Sequence, residues 1–202
     1  MSDQPEAYRT LSADGHSARW TRWQLHDSDL DDDQRDADQR GDELTLSWDN
    51  EAWTASGLVS SANVQFVIRI SPVWHVRQFL LFRDMDEPDL WLGNDGSGRW
   101  GEMNGAHRPE LDGCVDISLD CTPFTSTIPI RRLGLRVAEA AEIIVAAIDV
   151  ETLDVQAQRH RYSRLGTHRW KLEQLESGDS VEFDVDEFGL AIDYPSTFRR
   201  MS

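Results

Sequence analysis

Short segments in which apolar and polar residues alternate constrain the fold of this chain more than any other feature. Residues two positions apart in a strand point to the same face of a sheet, so such a segment buries one face and exposes the other. The apolar members of five such segments are Leu44, Leu46 and Trp48; Val64, Phe66, Ile68 and Ile70; Trp74, Val76, Leu80 and Phe82; Val115, Ile117 and Leu119; and Val181, Phe183 and Val185. We expect each group to face a common core from its own strand.

Turn-forming residues separate these segments, for example Asn-Asp-Gly at 94–96 and Ser-Gly-Asp at 177–179. Their spacing suits antiparallel meanders rather than strand–helix–strand units. Residues 138–147 begin with strong helix formers, but the β-branched run from Ile143 favours a strand. The patterns therefore predict a mainly β protein, built as a curled antiparallel sheet that forms a partial, split β-barrel.

The length of 202 residues suits one domain. We expect a flexible arm over residues 1–17 and a single β domain over residues 18–202, with an acidic loop at 27–42 inside it. A calcium loop that begins at Asp27 is a poor match, because its sixth position is Asp32 where the loop requires glycine. A solvated acidic loop is the better interpretation.

The charge balance is strongly acidic, with 37 acidic residues against 20 basic ones and a formal net charge of −17. Lys171 is the sole lysine beside 19 arginines, and Asp outnumbers Glu 24 to 13. At about 1 M salt the Debye length falls to ~3 Å, which removes the self-repulsion of such a surface. We therefore hypothesise a halophilic protein, with a merely acidic bacterial protein as the alternative. The same charge argues against nucleic acid and anionic membrane surfaces as partners.

Targeting and redox features point to a cytoplasmic protein. Residues 1–10 lack the apolar stretch of a secretion signal, and no apolar run is long enough for an integral membrane segment. The two cysteines, Cys114 and Cys121, fit a reducing compartment. With only His107 nearby they do not make a zinc ligand set, so we predict no metal and no other cofactor.

Residues 111–135 are the most distinctive part of the sequence. The motifs that stand out are Gly-Cys-x-Asp at 113–116, Thr-Pro-Phe-Thr at 122–125, Ile-Pro-Ile-Arg-Arg-Leu at 128–133, Gly-Arg-Trp at 98–100 and Asp-Tyr-Pro at 193–195. Together they resemble the glycolipid-binding family, from about Trp23 to Arg200. Ser126 departs from the family pattern, which commonly has Asn there.

The resemblance implies a fold and a class of ligand. The fold is a curved antiparallel sheet that forms an incomplete barrel around a central hydrophobic cavity, similar to bacterial carriers of lipoproteins and lipids. The ligand is a lipid or glycolipid, held without catalysis. Burial of alkyl chain at about 0.8 kcal/mol per methylene would drive such binding, with a few polar residues at the mouth. The sequence indicates no particular protein partner.

Eight residues are candidates for contact with that ligand. They are Trp74, Trp91, Trp100, Asp116, Phe124, Thr125, Arg131 and Arg132. One of the two arginines can form a buried ion pair with Asp116 that fixes the turn, or it can bind a ligand phosphate or sugar hydroxyl. The sequence leaves both roles open.

The aromatic and hydroxyl candidates carry a similar ambiguity. Phe124 and Thr125 lie in a segment that prolines stiffen, where an exposed ring and several hydroxyls can recognise a head group or simply satisfy turn backbone. The three tryptophans can stack on sugar rings and acyl chains, or they can fill the core.

Two other functions stay open. An interaction module would have an interior filled by its own side chains. An enzyme for a small sugar or isoprenoid would use Asp112, Asp116 and Arg131, but carboxylates four strand positions apart lie about 13 Å from each other, beyond the ~5–10 Å of a glycosidase pair. No nucleophile elbow or Gly-rich phosphate loop is present in the sequence, so we assign no catalytic residue.

Overall fold

A computed structural model of the chain describes residues 8–22, 41–83, 87–195 and 197–201. Within those residues the chain forms fourteen strands, one α-helix and three short 3-10 helices. The strands are β1 (His16–Arg22), β2 (Asp42–Asp49), β3 (Ala52–Val59), β4 (Val64–Ile70), β5 (Val76–Phe82), β6 (Leu90–Asn94), β7 (Trp100–Gly101), β8 (Asp116–Leu119), β9 (Ala140–Ile148), β10 (Val155–Arg164), β11 (Arg169–Gln174), β12 (Ser180–Val185), β13 (Ala191–Tyr194) and β14 (Phe198–Arg200). The helices are α1 (Thr127–Leu133) and the 3-10 turns Ser60–Ala62, Pro109–Leu111 and Pro123–Ser126.

All fourteen strands belong to one sheet, in the order β7-β6-β5-β4-β3-β2-β1-β14-β13-β12-β11-β10-β9-β8. The neighbours pair antiparallel except β8 and β9, which are parallel. The sheet is therefore mostly antiparallel, with this pair as the exception. Between β8 and β9 the chain runs through Pro123–Ser126 and α1, and a crossover of this kind is what a parallel pair requires.

The sheet curls but does not close, which confirms the split barrel. Its end strands, β7 and β8, are not paired with each other in the sheet order. Two hydrogen bonds bridge the segments beside these edges. The Gly113 N–H donates to Gly98 O at 3.0 Å, and the Trp100 indole N–H donates to Cys114 O at 2.9 Å. The split is therefore spanned by the residues that lead into the two edge strands.

The inner face of the sheet is filled by two hydrophobic clusters, one centred on β1–β7 and one on β9–β12. The largest buried side chains include Trp20, Trp100 and Trp170. Each of their indole N–H groups has an acceptor, which removes the cost of burying a polar group. A central cavity stays a prediction.

The alternation pattern predicted β5 only in part. Val76 faces the core, but so do Phe79 and Leu81, whereas Leu80 and Phe82 are only partly buried. The register shifts between Arg69 and Ile70 of β4, so β5 carries one extra residue opposite that step. A β-bulge of this kind reverses the face on which the following residues lie. By contrast, the strand predicted from Ile143 onward is present, and it begins three residues earlier, at Ala140.

The expected arm over residues 1–17 is corrected in its second half. Leu11 is 4% exposed within the core, and β1 begins at His16. The expected acidic loop at 27–42 lies outside the described residues except at its end. There Asp42 starts β2, is buried, and accepts a hydrogen bond from Ser60 N–H at 3.0 Å.

Candidate functional site

The distinctive motif folds into two consecutive short helices rather than an extended loop. The Thr122 hydroxyl accepts from the Phe124 N–H at 3.3 Å and so caps the 3-10 turn that Pro123 begins. Phe124 is fully buried in the core and does not present an exposed ring. The Thr125 hydroxyl accepts from the Leu119 N–H at 3.3 Å, which ties this turn to β8. Both side chains are thus engaged in the fold.

Asp116 and Arg132 form a buried ion pair between β8 and α1. The Arg132 Nε donates to one carboxylate oxygen at 3.3 Å and the terminal nitrogen Nη2 donates to the other at 2.5 Å. The Asp116 side chain is 0% exposed and that of Arg132 is 14% exposed. Burial raises the pKa of Asp116, and the Arg132 hydrogen bond opposes that rise. The pair fixes the crossover helix on the edge strand, which is the structural role of the two that the sequence allowed.

Arg131, one residue earlier, points to a different place. Its guanidinium lies 4.5 Å from the centre of the Trp74 ring. It donates to Phe188 O at 2.6 Å and to Arg9 O at 3.2 Å, which are both backbone carbonyls. Its Nε is buried and has no acceptor among the described residues. Burial lowers the pKa of Arg131 from its ordinary value, opposed by the nearby Tyr8 and Asp186.

Arg131 lines a cleft with three tryptophans, which we call the tryptophan cleft. Trp53 stacks on Trp74 with ring centres 6.2 Å apart, and Trp48 meets Trp53 edge-on at 5.0 Å. The cleft has a volume of about 350 Å³. Its remaining lining residues are Thr10, Leu11, Ala13 and Pro72. The walls are therefore mainly apolar and aromatic, with one arginine at the edge.

The backbone places Trp74 in the cleft at a cost. Trp74 N–H donates to Ser71 O at 2.9 Å, which closes the turn between β4 and β5. Its φ of 63° lies in the left-handed region, where a bulky side chain is rare. Glycine is the usual residue at such a turn position. In this conformation the Trp74 side chain forms one wall of the cleft.

The other two predicted tryptophans lie elsewhere. Trp100 is 1% exposed and belongs to the core, where it bridges the split in the barrel. Trp91 lies on the outer face of β6. The next residue, Leu92, is buried and pairs with the buried Phe79, whereas Trp91 pairs with Leu80 on the opposite side of the sheet. The structure thus brings Trp74 and Arg131 together, and it separates Trp91 and Trp100 from them.

A second cleft of about 250 Å³ lies beside the distinctive motif. Hydroxyl groups of Thr122, Thr125, Ser126 and Tyr194 line it. Burial raises the pKa of Tyr194 to about 12, and a hydrogen bond with Ser126 opposes the rise. These hydroxyls form a polar interior surface, in contrast to the aromatic walls of the tryptophan cleft.

The paired carboxylates considered for an enzyme are not brought together on one accessible face. Asp116 is buried with Arg132, whereas Asp112 precedes β8 and lies 2.8 Å from His107 Nε2. Among residues 8–22, 41–83, 87–195 and 197–201, no group of three or more His, Cys, Asp or Glu side chains is placed to hold a metal ion. In the same ranges no helix is long and apolar enough to cross a membrane. Cys114 and Cys121 are both buried.

Sequence reasoning missed Trp48 and Trp53 as cleft residues. They are directly opposite each other in the β2–β3 hairpin, on either side of a turn at Asn50 and Glu51 that has positive φ values. Two tryptophans spaced symmetrically about a turn are a signal for a cross-strand aromatic pair. That signal was present in the sequence, but the third tryptophan of the cleft comes from a different hairpin.

Comparison with known families agrees with this fold and places the chain in a class of proteins. A family model described as "Putative glycolipid-binding" matches residues 34–200. The chain belongs to this family. A search of curated proteins finds no match. The chain is similar to the crystal structure of a DUF1089 family protein from Pseudomonas aeruginosa, at 31% identity and a TM-score of 0.65, over 96% of this chain and 95% of that one.

Proposed function

We propose that this protein binds a lipid or glycolipid without catalysis, and that the tryptophan cleft receives the ligand. The observation that carries the proposal is the convergence of Trp48, Trp53, Trp74 and Arg131 on one cleft. Aromatic faces stack on the apolar faces of sugar rings, and they pack equally well on alkyl chains. The family description supports a glycolipid as the ligand class.

The size and the donors of the cleft specify which part of the ligand it holds. A volume of about 350 Å³ is near the lower end of the ~300–1,000 Å³ typical of ligand pockets. It suits a single sugar ring or a short stretch of alkyl chain. The buried Nε of Arg131 supplies a donor that a ligand hydroxyl or carbonyl oxygen would satisfy. Val73, between two lining residues, is 66% exposed and extends the apolar surface outward.

The test is a binding titration with octyl glucoside below its micelle concentration, as a minimal glycolipid. Tryptophan fluorescence and native mass spectrometry would report binding. We expect Trp74→Ala to weaken binding at least about tenfold, since an aromatic stacking contact and apolar burial are lost together. Trp91→Ala is the matched control, because it also removes one tryptophan but from the outer face, and it should bind as the wild type does. Equal affinity of the Trp74→Ala variant and the wild type would refute the proposal.

A second candidate is an interaction module. The two clusters that fill the inner face favour it, because a side-chain-filled interior leaves little room for a whole lipid. Native mass spectrometry after incubation with host lipid extract separates the two candidates. A lipid adduct that Trp74→Ala abolishes supports the binding protein, whereas an unchanged apo mass supports the interaction module.

We further propose that the protein works in a high-salt cytoplasm. The net charge of −17 and the single lysine support this setting, and a chain with two cysteines fits a reducing compartment. Thermal unfolding in low and high KCl tests the salt requirement. A melting temperature that fails to rise with KCl would contradict it.

A further inference from the structure

The outer face of the sheet carries a groove that is unrelated to the tryptophan cleft. One row of paired residues crosses five strands there: Thr54 of β3, Arg69 of β4, Gln78 of β5, Gly93 of β6 and Gly101 of β7. The last two positions are glycines, which leaves space for groups from elsewhere in the chain at this end of the row. A groove with a volume of about 730 Å³ opens beside the row.

Side chains occupy the space that the glycines leave. A Cβ on Gly93 would lie 2.6 Å from a ring carbon of Trp91, so the indole lies over this glycine. A Cβ on Gly96 would lie 1.6 Å from the Nη1 of Arg77, so the guanidinium of Arg77 rests against the loop that follows β6. Gly93 and Gly96 therefore seat an aromatic ring and a cation at the walls of the groove.

Arginines dominate the charge of this groove. Arg69, Arg77 and Arg99 line it, and we call the groove the arginine trough. Arg69 donates to Thr54 Oγ1 at 2.8 Å. None of the three has a carboxylate within 4.0 Å in the part of the chain that the structure describes. Elsewhere arginines pair with acids, as Arg161 does with Glu142.

The two acidic residues that line the trough are already engaged. Glu102 pairs with Arg108 at 3.1 Å. Asp95 accepts from Ser97 N–H at 2.7 Å, and this hydrogen bond, with smaller help from the charge of Arg99, lowers the pKa of Asp95. The lining of the trough therefore carries three arginines against two carboxylates, and of these two only Glu102 forms an ion pair with another arginine. Arginines that have no carboxylate in ion-pair contact and lie beside an aromatic ring are a recognition surface for an anion.

We propose that the arginine trough binds a sugar ring that carries an anionic group, namely a phosphate, sulfate or carboxylate. The Trp91 indole offers a face on which the ring stacks. The guanidinium groups of Arg69 and Arg77 supply paired donors to the anion, and the amide of Gln78 is available to the ring hydroxyls. The site is on the opposite face of the sheet from the tryptophan cleft, so it is independent of the function proposed above.

The experiment is calorimetric titration of the whole chain with glucose 6-phosphate, with glucose and inorganic phosphate as separate arms. We expect glucose 6-phosphate to bind more tightly than either component alone. Arg69→Gln and Arg77→Gln should each weaken binding about tenfold, the scale of one charge-assisted hydrogen bond. Trp91→Ala should weaken it as well. Arg161→Gln, which removes an exposed arginine of β10, should leave it unchanged.

Three results would overturn the proposal. The first is equal affinity of the wild type, Arg69→Gln and Arg77→Gln for glucose 6-phosphate. The second is equal affinity of the wild type for inorganic phosphate, which would make the trough a site for free anions. The third is no binding by a wild type that is folded by circular dichroism. Trp74→Ala should retain glucose 6-phosphate binding, so failure here is distinguishable from failure of the tryptophan cleft.

Discussion

The tryptophan cleft and the arginine trough use the same two residue types in opposite proportions. In the cleft, Trp53 and Trp74 are each only 7% exposed, and the one arginine is held by backbone carbonyls. In the trough, one indole lies over a glycine, and the guanidinium groups of Arg69, Arg77 and Arg99 have no carboxylate partners in the described residues. Burial decides the difference, because an enclosed ring can bind apolar surface whereas an open guanidinium binds anions. Sequence composition alone does not distinguish these two sites.

The largest effect on stability should come from breaking the buried ion pair between Asp116 and Arg132. Arg132→Ala leaves the Asp116 carboxylate buried and unpaired, which should lower the free energy of unfolding by about 3–5 kcal/mol. Arg161→Ala, which breaks an exposed pair with Glu142, should cost less than about 1 kcal/mol. Urea unfolding measures both. Since α1 carries both arginines, cleft binding should suffer in Arg132→Ala while trough binding persists.

If Arg132→Ala and Arg161→Ala had similar free energies of unfolding, the buried ion pair would contribute no more stability than the exposed pair. If Arg132→Ala does not fold, Arg132→Lys keeps a charge beside Asp116 and gives an intermediate loss. The double change Arg132→Met with Asp116→Leu should recover most of the stability, because the buried charge is then gone.

Lowering the pH should reduce the free energy of unfolding through a buried group, His160, before it affects groups on the outer face. His160 is 0% exposed, and neither ring nitrogen has a partner among the described residues. Burial lowers the pKa of His160, opposed by Glu176. Below about pH 6.5 the unfolded chain therefore binds a proton that the folded chain does not. The free energy of unfolding should fall with decreasing pH, by at most about 1.4 kcal/mol per pH unit from this residue, and it should be level above pH 7.

Urea unfolding from pH 8 to pH 5 checks this sign. His160→Leu should have a shallower slope between pH 6.5 and 5 than the wild type, since the neutral side chain takes up no proton in either state. Parallel slopes in the two proteins would show that His160 is not a source of the acid sensitivity.

Backbone strain at Trp74, which lines the tryptophan cleft, should have a smaller effect on stability. Trp74→Ala and Trp74→Gly both delete the indole, but only glycine adopts a φ of 63° without strain. We expect the glycine variant to be more stable than the alanine variant by about 1 kcal/mol. Denaturant unfolding decides the order. An alanine variant that equals or exceeds the glycine variant would mean that this turn stores no strain.

The smallest expected effect is that of salt, which should change ligand affinity at the trough but not at the cleft. Raising KCl screens the exposed arginines, so glucose 6-phosphate binding to the trough should weaken several-fold. Octyl glucoside binding to the cleft rests on apolar burial and should not weaken under the same change. Parallel titrations at low and high KCl measure both. Equal salt dependence would mean that the two sites do not differ in the way proposed.

The strand pattern and the motif were readable from the sequence because both are local. Alternation placed Leu44, Leu46 and Phe183 on the buried face, and the β-branched run from Ile143 predicted the strand that spans Ala140–Ile148. Alternation predicted the curled sheet, and the motifs at 111–135 carried the resemblance to the family whose model matches the chain. Where the pattern was wrong, a long-range cause was responsible. The bulge in β5 depends on its pairing with β4, and alternation within β5 does not contain that information.

The residues of the candidate site show the same difference between local and long-range information. The sequence by itself determined the elements: most of the strands, the proline-stiffened segment around Phe124, and two adjacent arginines near a conspicuous Asp116. Only the tertiary structure decided that Arg132 joins Asp116 while Arg131 lies over Trp74. It also decided that Trp48 and Trp53 wall a cleft while Trp91 faces outward. The physical reason is that local periodicity sets which way a side chain points, whereas its neighbours come from strands and helices far away in the sequence.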